Sequence, residues 1–177
     1  MNQVPQLHKH MAPKTVAIRI VTCSTSKYAQ TRAGEKPDDK SGNIIERLVT
    51  EAGHSVRDRY LISDSKQMIQ KHVRKVLSSR EIDALIITGG TGLSPRDLTI
   101  ESVSPFLEKV IPGFGELFRK ISFDKIGSAA MLSRAIAGSS KGKVIFCLPG
   151  SPDAVETAMT QLILLEIGHM LKVSREH

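Results

Sequence analysis

The segment from Thr88 to Asp97 has the residue types of a site for a phosphorylated ligand. Its glycines let the backbone approach a ligand closely and take up positive φ, and successive N–H groups in such a loop can surround an anion. Arg96 adds a bidentate donor for phosphate or carboxylate, and Asp97 offers the hard oxygen that Mg²⁺ prefers. The candidate ligand-binding residues of this segment are Thr88, Gly89, Gly90, Thr91, Gly92 and Arg96.

Two common nucleotide-binding motifs are excluded for this loop. A P-loop needs a lysine directly after its last glycine, and Gly92 is followed by Leu93. A dinucleotide fingerprint needs Gly-x-Gly-x-x-Gly opening directly into a helix, which this loop lacks. Glycines also shape ordinary turns, so the glycines alone leave a structural role open. Arg96 and Asp97 favour a functional role, because a mere turn has no need of them.

A second carboxylate, Asp64, follows another predicted strand and would join Asp97 in holding a metal. Mg²⁺ commonly binds one or two carboxylates together with phosphate oxygens and water. Each aspartate has a structural alternative. The spacing from Asp64 to Gln67 fits a capping box at a helix start, and Asp97 could cap a turn or pair with Arg96.

Predicted strands and helices alternate along the chain. Apolar runs predict strands at 16–22, 55–62, 84–88 and 144–148, and helical periodicity predicts helices at 41–52, after Asp64, at 116–123 and from 152 to about 173. Residues 23–39 are predicted as a polar loop, 104–111 as a helix that Pro112 and Gly113 end, and 132–137 as a strand. The alternation predicts an α/β fold, a three-layer α/β/α sandwich with a mostly parallel central sheet.

Polar loops leave the carboxyl ends of the predicted strands at 23–27, 63–64, 88–97 and 149–152. If the strands are parallel, these loops share one rim, where ligands of open α/β sheets bind. Ser151 stands before a predicted helix whose free N–H groups would attract an anion, although simple capping is its structural alternative. The loops add Ser24, Thr25, Pro149, Gly150 and Ser151 to the candidate ligand-binding residues.

The composition favours a small anionic ligand. The chain has 177 residues and a net charge of +7, but its basic residues are scattered, aromatic residues make up 4% and Trp is absent. This argues against a base-stacking nucleic-acid surface, and general solubility explains the charge equally well. No stretch approaches the roughly 18 apolar residues of a membrane span, so no membrane partner is expected.

Residues 1–14 lack the apolar core of a secretory signal and are predicted to form a flexible arm before one domain at 15–177. Cys23 and Cys147 lie in apolar strand-like contexts and are predicted to be buried thiols. Unpaired buried thiols fit a reducing cytoplasm.

Three motifs in this order resemble the MogA/MoaB family of molybdenum-cofactor biosynthesis, which includes the gephyrin G domain. They are residues 88–97, then Ala130 to Ala135, then Leu148 to Pro152. The resemblance extends from Val16 to Lys172, and residues 111–127 are more similar to the MoaB branch.

The resemblance implies molybdopterin adenylyltransferase activity, in which AMP passes from ATP to the terminal phosphate of molybdopterin with Mg²⁺. It implies that Asp64 and Asp97 are the catalytic, metal-binding aspartates and that the glycine loop, Ser133 and Ser151 contact substrates. Thr25 stands where many members have Asp. Some MoaB-branch members are inactive, so a non-catalytic molybdopterin-binding protein is the alternative, but the intact motifs favour an enzyme. The family also implies a homo-trimer or a homo-hexamer.

Overall fold

The computed structural model describes residues 12–176, which contain a six-stranded sheet. The strands are β1 (Ala17–Cys23), β2 (Ser55–Ile62), β3 (Ala84–Thr88), β4 (Lys109–Val110), β5 (Ile136–Ser140) and β6 (Lys143–Leu148). Their spatial order is β2-β1-β3-β6-β5-β4. The first four strands in this order are parallel, whereas β5 and β4 are antiparallel to their neighbours.

Helices cover both faces of this sheet. The helices are α1 (Thr25–Arg32), α2 (Lys40–Glu51), α3 (Lys66–Ser78), α4 (Thr99–Val103), α5 (Pro112–Ile126), α6 (Pro152–Ala158) and α7 (Leu164–Ser174), with a π-helical turn at Met159–Ile163 joining the last two. On one face, apolar residues of α2, α5 and the C-terminal helices pack around Ile20, Ile86 and Phe146. On the other face, α3 and α4 cover Leu85 and Ile87. The predicted α/β/α sandwich with a mostly parallel sheet is therefore confirmed.

The sheet register brings the predicted polar loops to one edge. Thr22 pairs with Thr88, and Thr88 pairs with Leu148, so three buried parallel strands end side by side. β2 ends beside them, with Ile62 opposite Cys23. Because β1, β3 and β6 are buried along their whole length, a polar side chain within them needs an internal partner, and the solvent-facing polar loops begin where the strands end.

The predicted polar loop at 23–39 is partly wrong, because Thr25–Arg32 forms α1. None of its residues is buried, so the sequence carries no apolar periodicity that would reveal a helix. Its first turn is instead held by hydrogen bonds from Thr25 to Asp64, 39 residues away. Only tertiary structure brings these two residues together.

The predicted helix at 104–111 is also wrong. Ser104 directly follows α4 and begins a short 3₁₀ turn. Its hydroxyl donates to the Ile100 carbonyl at 2.7 Å. Lys109 and Val110 then pair with β5 as an edge strand, since Lys109 lies opposite Ser139. Pro112 occupies the first turn of α5 and therefore begins a helix that it was predicted to end.

Two other predicted bounds differ from the structure. Residues 127–132 form 3₁₀ turns, so the strand predicted at 132–137 is β5 at Ile136–Ser140. The helix predicted at 116–123 is the middle of α5. The predicted arm at 1–14 lies outside the described residues except for 12–14, and the single domain at 15–177 stays a prediction.

A partly buried polar cluster joins β1 and β2 to α3. Arg19 on β1 donates to both carboxylate oxygens of Asp58 on β2, each at 2.5 Å. The Tyr60 ring lies between Arg19 and His72, 5.3 Å from the guanidinium and 4.5 Å from the imidazole. Burial, aided by the charges of Arg19 and Lys75, lowers the pKa of His72 to about 4.

His72 therefore makes stability depend on pH. In the unfolded chain its imidazole takes up a proton near pH 6.5, but in the folded protein only near pH 4. Between these values the unfolded state binds more protons, so the free energy of unfolding falls as pH drops from 6.5 to 4.5, by about 2 to 3 kcal/mol. The free energy of unfolding of His72→Phe, measured by urea denaturation at several pH values in this range, should fall less steeply with decreasing pH than that of the parent protein. An equal pH dependence in both proteins would contradict the burial of a neutral His72.

Candidate active site

A cleft of about 820 Å³ opens at the carboxyl ends of the parallel strands. Its lining comes from the loops after β1, β2, β3 and β6 and from the segment before β5. Thirteen of the fourteen predicted site residues line it: Ser24, Thr25, Asp64, Gly89, Gly90, Thr91, Gly92, Arg96, Asp97, Ser133, Pro149, Gly150 and Ser151. Thr88 lies behind this wall, where its hydroxyl donates to the Pro149 carbonyl at 2.8 Å.

Glycines form the floor of the cleft because the backbone leaves no room for side chains. Gly89 has φ +91°, and a Cβ atom there would collide with the carbonyl oxygen of Cys23. A Cβ at Gly150 would lie 3.2 Å from the Cα of Gly89. The loop is also fixed from below, since the Thr99 hydroxyl donates to the Gly89 carbonyl at 2.8 Å. The floor therefore has a defined shape.

Asp64 ties the loop after β2 to the start of α1. Its Oδ2 accepts hydrogen bonds from the Thr25 amide at 2.9 Å and the Thr25 hydroxyl at 2.8 Å. Its Oδ1 lies 2.6 Å from the position that a Cβ of Gly90 would occupy. The N-cap of α3 is Ser65, so the capping-box alternative for Asp64 is wrong.

Asp97 closes its own turn while it faces the cleft. Its Oδ2 accepts a hydrogen bond from the Ser94 amide at 2.9 Å, as the turn-capping alternative expects. The same oxygen lies 2.7 Å from the position that a Cβ of Gly92 would occupy. Within the described residues Asp97 forms no ion pair with Arg96. The absence of side chains at Gly90 and Gly92 thus leaves space beside both aspartates.

The donor set suits a magnesium ion that arrives with a phosphorylated ligand. Residues 12–176 contain no group of three or more His, Cys, Asp or Glu side chains arranged to hold a metal. Two carboxylates are nevertheless the usual protein contribution to Mg²⁺, whose other positions are taken by phosphate oxygens and water. Asp64 and Asp97 lie on separate loops of one cleft and fit this pattern.

Two cations line the cleft without partners among residues 12–176. Lys27 lies on α1, and Arg96 lies on the loop after β3. No hydrogen bond or ion pair of either side chain occurs within that part of the chain. Unpaired cations beside two carboxylates can neutralise an anion of high charge.

Arg134 is a cleft residue that the sequence reasoning did not select. Its Nε donates to the Thr91 carbonyl at 2.8 Å, and its Nη2 donates to Glu101 at 2.6 Å. Burial disfavours the charged form of Glu101, but the hydrogen bond from Arg134, a backbone hydrogen bond and the charge of Arg134 together outweigh it and lower the pKa of that carboxyl. The sequence offered no signal for this bridge, because Glu101 and Thr91 are distant in sequence from Arg134.

Asp39 and Ser41 support the cleft from α2 and were also missed. The Ser41 hydroxyl donates to the Gly150 carbonyl at 2.7 Å. Asp39 caps α2 and accepts hydrogen bonds from Thr22 and Arg59 at 2.8 and 2.7 Å. Burial opposes its ionisation, but these hydrogen bonds prevail and lower the pKa of Asp39.

The two cysteines are buried free thiols, as predicted. Burial raises the pKa of Cys23 to about 12 and also raises the pKa of Cys147. A thiol that holds its proton is a poor nucleophile. Cys23 contributes to the cleft wall through its position at the end of β1.

Parallel strands with a glycine-floored cleft at their carboxyl ends define the class of open α/β proteins that bind ligands at the sheet edge. The sequence model of the family described as "Probable molybdopterin binding domain" matches residues 19–169. The chain belongs to this family. No helix between residues 12 and 176 has the length and apolar character needed to cross a bilayer.

Relatives match over nearly their whole length. The chain is 47% identical to molybdenum cofactor biosynthesis protein B of Bacillus cereus, covering 92% of this chain and 93% of the relative. It is 38% identical to the probable molybdopterin adenylyltransferase of Methanocaldococcus jannaschii, covering 96% and 99%. A crystal structure of the tungsten cofactor synthesizing protein MoaB from Pyrococcus furiosus aligns with a TM-score of 0.81 at 35% identity, covering 93% and 100%.

Replacing Gly89 by Ala should unfold the cleft floor. The substitution places a methyl group against the Cys23 carbonyl at a positive φ, which we expect to lower the free energy of unfolding by about 3 kcal/mol. Gly113→Ala is the matched control, because no atom lies within 4 Å of its Cβ position. Urea denaturation should find Gly113→Ala within about 1 kcal/mol of the parent. A Gly89→Ala protein of parental stability would contradict the close approach.

Proposed function

We propose that the protein is a molybdopterin adenylyltransferase that transfers AMP from ATP to the terminal phosphate of molybdopterin and releases diphosphate. The observation that carries this proposal is that Asp64 and Asp97, from two loops, line one glycine-floored cleft together with Lys27 and Arg96, which have no partner among residues 12–176. The name of the Methanocaldococcus jannaschii relative, a probable molybdopterin adenylyltransferase, supports the same reaction.

The reaction that we propose needs charge neutralisation more than proton transfer. A terminal phosphate oxygen of molybdopterin is already anionic and attacks the α-phosphorus of ATP in line. A new P–O bond forms, the bond from the α-phosphorus to the bridging oxygen breaks, and diphosphate leaves with that electron pair. The main obstacle is the repulsion between two polyanions, so positioning and electrostatic stabilisation supply the catalysis.

Asp64 and Asp97 would hold Mg²⁺, which when bound neutralises phosphate charge. The carboxylates would act as metal ligands and take no proton from the attacking phosphate. Asp64 enters this role already fixed by two hydrogen bonds from Thr25, and Asp97 by one from Ser94. Ligands held in place before binding need little reorganisation during reaction.

The remaining candidate residues would bind the two substrates. Arg96 would donate to phosphate oxygens from the loop after β3, and the backbone of Gly89 to Gly92 would approach the ligand directly. Ser151 precedes α6 and makes no side-chain capping bond, which leaves its hydroxyl available to a ligand. Ser24, Thr25, Ser133, Pro149 and Gly150 complete the proposed binding surface, with Thr88 supporting it from behind.

Asp97→Asn and Asp64→Asn should each abolish AMP transfer while the protein stays folded. The amide keeps the shape of the side chain but removes the charge that holds Mg²⁺, and we expect at least about a hundredfold loss of kcat. Asp124→Asn is the matched control, since Asp124 is an exposed residue of α5 outside the cleft. Each variant is incubated with Mg-ATP and molybdopterin, and the adenylylated product is quantified by mass spectrometry.

The same assay separates the enzyme from a non-catalytic molybdopterin-binding protein. Parental protein that binds molybdopterin in isothermal titration but forms no adenylylated product would support the non-catalytic alternative. Normal turnover by Asp97→Asn would instead refute the metal-site assignment.

We place the activity in the cytoplasm, because buried free thiols fit a reducing compartment.

We also propose a homo-oligomer, a trimer or a hexamer. Large apolar side chains on α5 and the following turn are at least half exposed in the single chain, as expected of an interface. They are Leu117, Phe123, Ile126, Met131 and Leu132.

Light scattering after size-exclusion chromatography should give three or six times the chain mass of 19.4 kDa. Phe123→Glu should lower this mass toward that of one chain, because a buried unpaired carboxylate opposes association. Leu165→Glu, at a similarly exposed position on α7, is the control and should keep the parental mass. A monomeric parent would refute the proposal.

A further inference from the structure

Helix α1 forms one wall of the cleft but has almost no apolar attachment to the rest of the protein. None of its eight residues is buried. An isolated helix of this length is marginal in water, so α1 depends on contacts at its ends. The residues that follow it, from Ala33 to Lys36, are exposed as well.

The attachments of α1 are concentrated in its first turn. The Thr25 amide and hydroxyl both donate to Asp64, and the Thr25 hydroxyl lies 3.1 Å from that of Ser63. Just before the helix, the Ser24 amide donates to the Ile62 carbonyl at 2.9 Å. The helix is therefore fixed at the end that carries the cleft residues and lightly held beyond it. Segments with few buried contacts open at low free energy.

Lys27, in that first turn, is the basic side chain that α1 presents to the cleft. It lines the same cavity as the glycine loop and has no partner among residues 12–176. The other basic residue of α1, Arg32, lies in the last turn and does not line the cavity. A polyanion in the cleft would give Lys27 the charge partner that it lacks within the described chain.

We propose that Lys27 binds the phosphate chain of the nucleotide and that α1 closes on the cleft as a lid when it does so. This inference rests on the adenylyltransferase function proposed above. A ligand can shift a segment only if it binds the closed arrangement more tightly, and the contact with Lys27 provides that difference. Asp64 lies at the hinge, because the carboxylate proposed to hold the metal also anchors Thr25.

Binding of nucleotide to Lys27→Ala tests the contact. The probe is the magnesium complex of the α,β-methylene analogue of ATP, which cannot transfer AMP, measured by isothermal titration. We expect Kd for the analogue to rise about tenfold, while Kd for molybdopterin stays within about twofold. Lys27→Arg should recover most of the affinity. Arg32→Ala removes the same charge from the same helix away from the cleft and should bind like the parent.

Hydrogen exchange with mass spectrometry tests the lid. The analogue should slow amide exchange in peptides covering residues 25–33 of the parent protein, and this protection should be lost in Lys27→Ala but kept in Arg32→Ala. A parent that binds the analogue without protecting these peptides would overturn the lid. Equal analogue affinity of Lys27→Ala and the parent would overturn the contact and leave the proposed function standing. No binding of the analogue to the parent would overturn both.

Discussion

The cleft depends on the close approach of three backbone segments at the ends of β1, β3 and β6. Gly89 lies so close to the Cys23 carbonyl that no side chain fits there, and a Cβ atom at Gly150 would lie 3.2 Å from the Cα of Gly89. The hydroxyls of Thr88 and Thr99 then fix the carbonyls of Pro149 and Gly89. Because three strands are joined so tightly, loops that are far apart in sequence form one continuous surface.

Burial of the strands explains why the chemistry is confined to that surface. β1, β3 and β6 are covered on both faces, so polar groups along them would need internal partners. At the strand ends this restriction is lifted, and aspartates, hydroxyls and cations collect around the glycines. The partners of these groups divide them into two kinds. Arg134 and Asp39 are held by other residues and support the loops, whereas Lys27 and Arg96 have no partner within residues 12–176 and can bind a ligand.

The walls of the cleft differ in how firmly they are held. The glycine floor and the loop after β3 are cross-linked by hydrogen bonds to Thr99 and Arg134. The strands β3 and β6, which precede them, belong to the core. Helix α1 has no buried residue and is anchored through Thr25. The proposed transfer between two polyanionic substrates would benefit from one rigid wall and one that can adjust.

The sequence by itself determined the four parallel strands, the alternation that makes the fold, and the glycine loop with Asp97. Those features are local: a buried strand is an apolar run, and a backbone that must approach a ligand needs glycine. The sequence did not reveal α1, the edge strand β4 or the start of α5 at Pro112, because their conformations are set by partners distant in sequence. Asp64 shows the difference most clearly. Its spacing by itself favoured a helix cap, and only the folded chain brings the Thr25 hydroxyl within 2.8 Å of its carboxylate and places Asp64 in the cleft lining.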